Sequence, residues 1–221
     1  MAHRLHRNDA AADVEAANRC AGEVGTAGHM VDYLEIAGVL DDKACSVLRD
    51  EIRAALGGPA GLLGRPDQKP TWPEIRRTRR AEVSSETEAR VVALLAAQKP
   101  ALERHFGLPL GACEKPQLLH YREGDFFVPH QDGNTPLIYD ESRFRRISAV
   151  IFLNRQSGVS SPESYTGGSL VLHGPYTGPD LRIAMPALPG SLVAFRSETT
   201  HEVTPVMRGE RFTIVSWYRG A

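Results

Sequence analysis

The stretch Tyr121–Asp132, YREGDFFVPHQD, decides how this chain is read. Within it a His and a carboxylate stand two residues apart, and on a strand residues i and i+2 point to the same face. His130 and Asp132 therefore lean into one cavity while Gln131 faces away, and the same alternation puts Phe126 and Val128 on the His130 side. Far downstream, SETTHEVTPVMRGERF supplies a third candidate ligand, His201, and Arg211 opens the strand expected after it.

An isolated His-x-Asp is a weak signal in a chain with eight His, because a solvated turn at 131–134 would read the same way. Three further features fall in order and strengthen it: Gly167-Gly168 opening a strand, His201 ahead of a β-rich segment, and Arg211 on the final strand. Two neutral imidazoles and one carboxylate on one face of an iron leave the opposite face open for a co-substrate and O2. Iron is the metal this donor set points to.

After Pro116 the chain becomes short runs rich in Val, Ile, Phe and Tyr, separated by Gly, Pro, Asn and Ser clusters, which read as antiparallel strands in a sandwich or barrel. Eight are expected, at 117–123, 126–132, 145–154, 168–173, 181–185, 190–196, 200–206 and 211–218. Strands in this number with jelly-roll connections close around one small cavity. On the last strand Arg211, Thr213, Val215 and Trp217 share a face, and a guanidinium buried there needs an anion to grip with its planar fork. A bound carboxylate would serve, and so would an internal Glu or Asp. Tyr121 points inward with Leu119 and Glu123, where its hydroxyl needs a partner if it does more than pack.

YREGDFFVPHQD, RRISAVIFLN, TGGSLVLHG and PGSLVAFRSETTHEVTPVMRGERFTIVSWY together resemble the catalytic domain of the prolyl-4-hydroxylase-like branch of the 2-oxoglutarate- and Fe(II)-dependent dioxygenases. The resemblance covers 110–219, with a weaker echo in VDYLEIAGVLDDKACSVLRDEI. It implies a mainly β fold with flanking helices, the double-stranded β-helix. It also implies that His130, Asp132 and His201 hold Fe(II), that Arg211 pairs with the distal carboxylate of 2-oxoglutarate, and that Tyr121 hydrogen-bonds that co-substrate. Thr213, on the same face as Arg211, is grouped with them as co-substrate-binding. The implied activity is hydroxylation of an amino-acid-like, small-metabolite or peptidyl substrate, consuming O2 and releasing succinate and CO2. A carboxylate at position 132 counts against halogenation, since related halogenases leave that coordination place for chloride. Collagen-type prolyl hydroxylases usually carry Lys where this chain has Arg211, which counts against proline as the substrate. Two rival functions share the fold: a metal-binding cupin-type module or 2-oxoglutarate sensor without turnover, and a cupin hydrolase or isomerase in which Arg211 holds the substrate itself.

With 221 residues the chain suits one well-buried domain: a flexible leader at 1–30, a strand and helices over 31–110, and the β-helix core over 111–219, the dioxygenase domain as a whole being 31–221. A formal net charge of −1 gives no pull toward nucleic acid or an anionic membrane, so neither is expected as a partner. Cys20, Cys45 and Cys113 are odd in number and lack CxxC spacing, which suggests neither a disulfide scaffold nor a zinc site and fits a reducing compartment. The first thirty residues lack an apolar run of about 7–15 behind a basic start, and no stretch approaches about eighteen consecutive apolar residues. A cytoplasmic location is expected. His3, His6 and His29 lie in a polar, Ala-rich leader and read as solvated.

In the first half, 31–40 alternates as an opening strand, Asp41-Asp42 supply a cap, and Ala44, Val47, Leu48, Ile52 and Leu56 recur at helical spacing up to Gly57-Gly58. The stretch 57–73 holds four Gly and four Pro and reads as a long loop, a candidate substrate segment with Trp72 near its end. IRRTRR at 75–80, followed by Glu82, Glu86 and Glu88, reads as a mixed, solvated surface. From Ser85 a helix is expected to break at Lys99-Pro100, with a short second helix to Phe106. The loops 133–146, made basic by Arg143, Arg145 and Arg146, and 156–166 flank the metal strands and are where substrate choice is expected. Asn154 is a candidate substrate contact, and His120 and His173 read as packed or surface residues.

Overall fold

A computed structural model describes residues 31–55, 73–136, 138–174 and 181–221. The expected leader, Cys20, Trp72 and nearly all of the 57–73 loop lie outside the described residues. The first half contributes β1 (Tyr33–Ile36), β2 (Arg76–Arg77), β3 (Arg79–Ala81), β4 (Leu110–Cys113), β5 (Gln117–Tyr121) and β6 (Phe126–His130). Then come β7 (Arg145–Phe152), β8 (Arg155–Gln156), β9 (Ser164–Gly167), β10 (Leu170–His173) and β11 (Arg182–Ala184). The chain closes with β12 (Leu192–Arg196), β13 (His201–Val203), β14 (Val206–Arg208) and β15 (Arg211–Gly220).

A large sheet runs in the order β1-β12-β7-β15-β5-β3, with β4 also paired to β15. A smaller sheet runs β11-β10-β13-β6-β2, and a third joins β14, β9 and β8. This is the expected double-stranded β-helix. Period two on β15 assigns its faces: Phe212 and Ile214 pack outward into the cluster that contains Leu95 and Leu102, while Arg211, Val215 and Trp217 face the cavity between the sheets. On β7, Ile147, Ala149 and Ile151 join the outer cluster, and Val150 and Phe152 join the inner one with Leu172 and Phe195.

Two helices cover the outer face. The first, Asp42–Ala54, starts where Asp41 accepts from the Ala44 N–H at 2.7 Å, and it buries Cys45, Leu48, Arg49 and Ile52. The second is continuous over Ser85–Phe106, so the expected break at Pro100 does not occur. An interior Pro costs about 3 kcal/mol or more. Leu95 and Leu102, on either side of it, are both fully buried, and each contributes about 1.5–3 kcal/mol that a break would forfeit. Tyr218 also donates its hydroxyl hydrogen to the Leu95 carbonyl at 2.7 Å, tying this helix to β15.

The basic stretch 75–80, expected as a mixed, solvated surface, keeps Arg77 and Arg79 exposed and also forms strands. It supplies β2 and β3, which pair with β6 and β5 and place one short strand on an edge of each sheet. Thr78, between them, is buried and donates to the His120 carbonyl at 2.9 Å. Cys45 and Cys113 are free thiols, and burial pushes the Cys45 pKa up to about 11. No described helix is long and apolar enough to cross a membrane.

Candidate metal and co-substrate site

His130 ends β6, Asp132 follows it, and His201 opens β13. The two strands are neighbours, and His201 pairs directly with His130 across the ladder. This register brings one ligand atom from each of His130, Asp132 and His201 within 4.8 Å of the others. His130 Nδ1 donates to the Val128 carbonyl at 2.8 Å and His201 Nδ1 to the Thr199 carbonyl at 2.9 Å. A carbonyl only accepts, so both rings keep a proton on Nδ1 and turn Nε2 toward the carboxylate, at 3.6 Å for His130 and 3.4 Å for His201.

Burial works against a charged Asp132, yet His201 and His130 outweigh it and hold its pKa well below the ordinary carboxylate value. Burial lowers the His130 pKa, and neighbouring His201 adds to the effect. The same burial acts on His201, where the Asp132 carboxylate prevails and raises its pKa. A divalent cation fits this trio: it takes the place of the His201 proton beside the anion, and the preset tautomers present Nε2 as ligand. Two imidazoles and one carboxylate are the donor set that suits non-haem Fe(II).

The cavity beside the triad has a volume of about 500 Å3, with Leu119, Val150, Leu170, Val203 and Val215 among its apolar walls. Arg211 and Tyr121 both line it. Arg211 is 1 % exposed, its guanidinium carbon stands 4.8 Å from the Tyr121 ring centroid, and its Nη1 donates to Thr213 Oγ1 at 3.3 Å. Its Nε has no partner, and among the described residues no carboxylate forms an ion pair with it. The alternative of an internal Glu or Asp therefore finds no counterpart here. A buried charge without compensation is costly by several kcal/mol, so an anion belongs at this end of the cavity. The distal carboxylate of 2-oxoglutarate fits that requirement. Thr213 is wholly buried, lies outside the cavity lining and braces Arg211.

Several details escaped the sequence. His201 and His130 pair, but Val203 pairs with Phe127, so β6 spends one more residue than β13 over the same interval. This bulge falls at Pro129, which has no N–H to give the ladder, and it puts Phe127 rather than Phe126 or Val128 on the cavity wall. The Phe127 ring stacks on His130 at 3.5 Å between centroids. Arg145, expected in a polar loop, is buried: it pairs with Glu114 at 2.7 Å, donates to the Asp132 carbonyl at 3.3 Å and lies 3.7 Å over the Trp217 ring. Ser148 was missed altogether, although Val-Ile-rich alternation on β7 put it on the inner face. Asn154 makes no substrate surface: it donates to the Glu210 carbonyl at 2.7 Å and accepts from the Phe212 N–H at 3.0 Å. Arg76 joins the cavity wall, with its guanidinium 4.8 Å from the Phe127 ring centroid. His120 and His173 are packed, beside Glu210 and Glu202 respectively.

A family model described as the 2OG-Fe(II) oxygenase superfamily matches residues 116–219. A PKHD-type hydroxylase of Hyphomonas neptunium is 33 % identical over 180 residues, covering 77 % of this chain and 72 % of that protein. Another, from Maricaulis maris, is 31 % identical over 165 residues, covering 72 % of this chain and 68 % of its own. Among solved structures, a Pseudomonas putida prolyl-4-hydroxylase superposes with a TM-score of 0.64 at 23 % identity, covering 87 % of this chain and 94 % of its own, which demonstrates the shared fold.

Proposed function

The chain belongs to the 2OG-Fe(II) oxygenase superfamily and is a 2-oxoglutarate-dependent hydroxylase, and on that premise we propose that His130, Asp132 and His201 hold its iron while Arg211 binds the far carboxylate of 2-oxoglutarate. The observation that carries the second assignment is the buried Arg211 guanidinium without a carboxylate partner among the described residues, in the same cavity as the triad. Iron, when bound, supplies the activation of O2 coupled to oxidation of 2-oxoglutarate to succinate and CO2. The chain's own contribution is positional. Val128 and Thr199 carbonyls fix the two imidazoles, Ser148 fixes Asp132, Thr213 and Tyr121 hold Arg211 in place, and the apolar walls keep water from the reacting centre.

A cavity of about 500 Å3 takes the co-substrate and one group of amino-acid size. The substrate is accordingly a free amino acid or a side chain presented on an extended peptide, entering past Tyr139, which is 83 % exposed at the cavity wall. Succinate release measured across free amino acids, small metabolites and peptides separates these. Binding without turnover tests the site itself: Mn(II) plus 2-oxoglutarate, without oxygen, stabilises by about 2.7 kcal/mol at a hundredfold excess over Kd. At roughly 2–4 °C per kcal/mol, the melting temperature rises by about 5–11 °C. A response to metal with none to 2-oxoglutarate would overturn the assignment in favour of a cupin hydrolase.

A further inference from the structure

Along β5 the residues Gln117, Leu119 and Tyr121 all line the cavity, and the two ends of this run meet different guanidiniums. Tyr121 pairs with Arg211 across the ladder, while Gln117 pairs with Val215, about 13 Å further along the strand. At the Gln117 end stands Arg76, whose Nη2 donates to Gln117 Oε1 at 3.4 Å. Its place follows from register. Arg76 pairs with Phe127 and Arg77 with Phe126, and directly paired residues of an antiparallel ladder share a face. Phe127 is in the cavity lining and Phe126 is not, so Arg76 is turned inward while Arg77 stays exposed, 5.5 Å from the Phe126 ring centroid.

The Arg76 guanidinium lies 4.8 Å from the Phe127 ring centroid, and that ring stacks on His130 at 3.5 Å. One aromatic ring therefore separates the cation from a metal ligand. The other charges of the lining have their uses: Arg145 pairs with Glu114, Asp132 belongs to the metal trio, and Asp140 accepts from the Ser142 N–H at 2.8 Å as the cap of a short 3-10 turn. With 2-oxoglutarate held between the trio and Arg211, the Gln117 end is the half left to the substrate. A guanidinium stacked on a ring presents its N–H donors from the edge, in a fork whose spacing matches a carboxylate.

We propose that Arg76, with Gln117 beside it, is the subsite for a carboxylate of the substrate. The proposal rests on the proposed function and adds to it a substrate class: an acid, held by its carboxylate at the Gln117 end while the carbon to be oxidised lies toward the trio. That carboxylate is the α-carboxylate of a free amino acid or the side chain of Asp or Glu in a peptide.

The test uses two probes of one shape, 4-fluorobutyrate and its amide, followed by fluorine NMR with the protein loaded with Mn(II) and saturating 2-oxoglutarate without oxygen. Bound Mn(II) broadens the signal of a probe that enters the cavity. The parent is expected to broaden the acid and to bind it about tenfold more tightly than the amide; Arg76→Gln should remove that preference, and Arg77→Gln should keep it. Relief of the broadening by free amino acids, or by peptides capped at both ends that carry Asp or Glu, separates the two sources, and relief by neither overturns the proposal. Equal broadening by acid and amide in the parent overturns it too, a comparison that stands even if Arg76→Gln fails to fold. So does an undiminished preference in a folded Arg76→Gln protein. The 2-oxoglutarate Kd of that variant should equal the parent's, whereas a parent that binds no 2-oxoglutarate overturns the proposed function itself.

Discussion

Ser148 donates its hydroxyl hydrogen to Asp132 Oδ2 at 2.7 Å and stands 3.1 Å from the Ser197 hydroxyl. Ser148 belongs to β7 of the large sheet, whereas Asp132 follows β6 of the small one, so the carboxylate is set by a residue of the opposite sheet. Partners of this kind are worth about 10–100-fold in metal affinity. Ser148→Ala should weaken Mn(II) binding by that order, measured by titration, with the folded spectrum unchanged. Parent-like affinity would show that Asp132 is oriented by its backbone alone.

Asp132→Ala should abolish oxygen-dependent formation of succinate while leaving circular dichroism intact, because the side chain faces the cavity and makes no part of the apolar core. His130→Ala and His201→Ala should behave alike. Turnover at the parent rate in any of the three would remove that residue from the ligand set.

Arg211→Leu should raise the KM for 2-oxoglutarate by one to two orders of magnitude, about 1.5–3 kcal/mol for a charge-assisted hydrogen bond. Lys43→Leu, on the exposed side of the first helix, should leave it unchanged. The ligand-free Arg211→Leu protein should melt no lower than the parent, since the substitution deletes a buried charge that has no carboxylate partner among the described residues. A lower melting temperature with parent-like KM would mean that the Arg serves the fold.

Acid sensitivity should arise behind the site, at His120 and Glu210. Their side chains are 2.7 Å apart, and His120 stacks on Phe212 at 4.7 Å between centroids. Burial lowers the His120 pKa below 6.5 despite Glu210, so the folded state binds fewer protons there than the unfolded chain. Stability from this group is present at neutral pH and is lost as pH falls through 6.5 toward the folded pKa. For Glu210, burial is outweighed by Arg53 and His120, which depress its pKa, so its contribution disappears only as pH falls below 4.5. His120→Phe keeps the stacking and removes the first loss: the drop in melting temperature between about pH 7.5 and 5.5 should be smaller than in the parent. An equal drop in both proteins would place the titration elsewhere.

His130, the inward Arg211 and the inward Tyr121 were legible because each depends on alternation along one strand and on side chains with few other uses when buried, Asp132 because it stands two residues beyond His130, and His201 from its place in the order of motifs. The start of the first helix was legible for a similar reason, since Asp41 acts on a backbone group three residues away, and the start of the second at Ser85 was legible from its apolar spacing. What failed depended on partners distant in the chain. Pro100 reads as a breaker until Leu95 and Leu102 have a sheet to pack against, and Arg145 reads as a loop charge until Glu114 and Trp217 arrive beside it. The two-residue strand at Arg76–Arg77 is too short for any alternation to show. The bulge at Pro129 shifted one face by one residue, which no count made within β6 alone could reveal.

His130 and His201 belong to the small sheet and Arg211 to the large one, with the cavity between them. Phe152 and Phe195 of the large sheet meet Leu172 of the small one in a single buried cluster, so the packing that keeps the two sheets apart also sets the span from the ligand trio to the guanidinium. Side chains that look like mere ballast in the interior act as the spacer of the site.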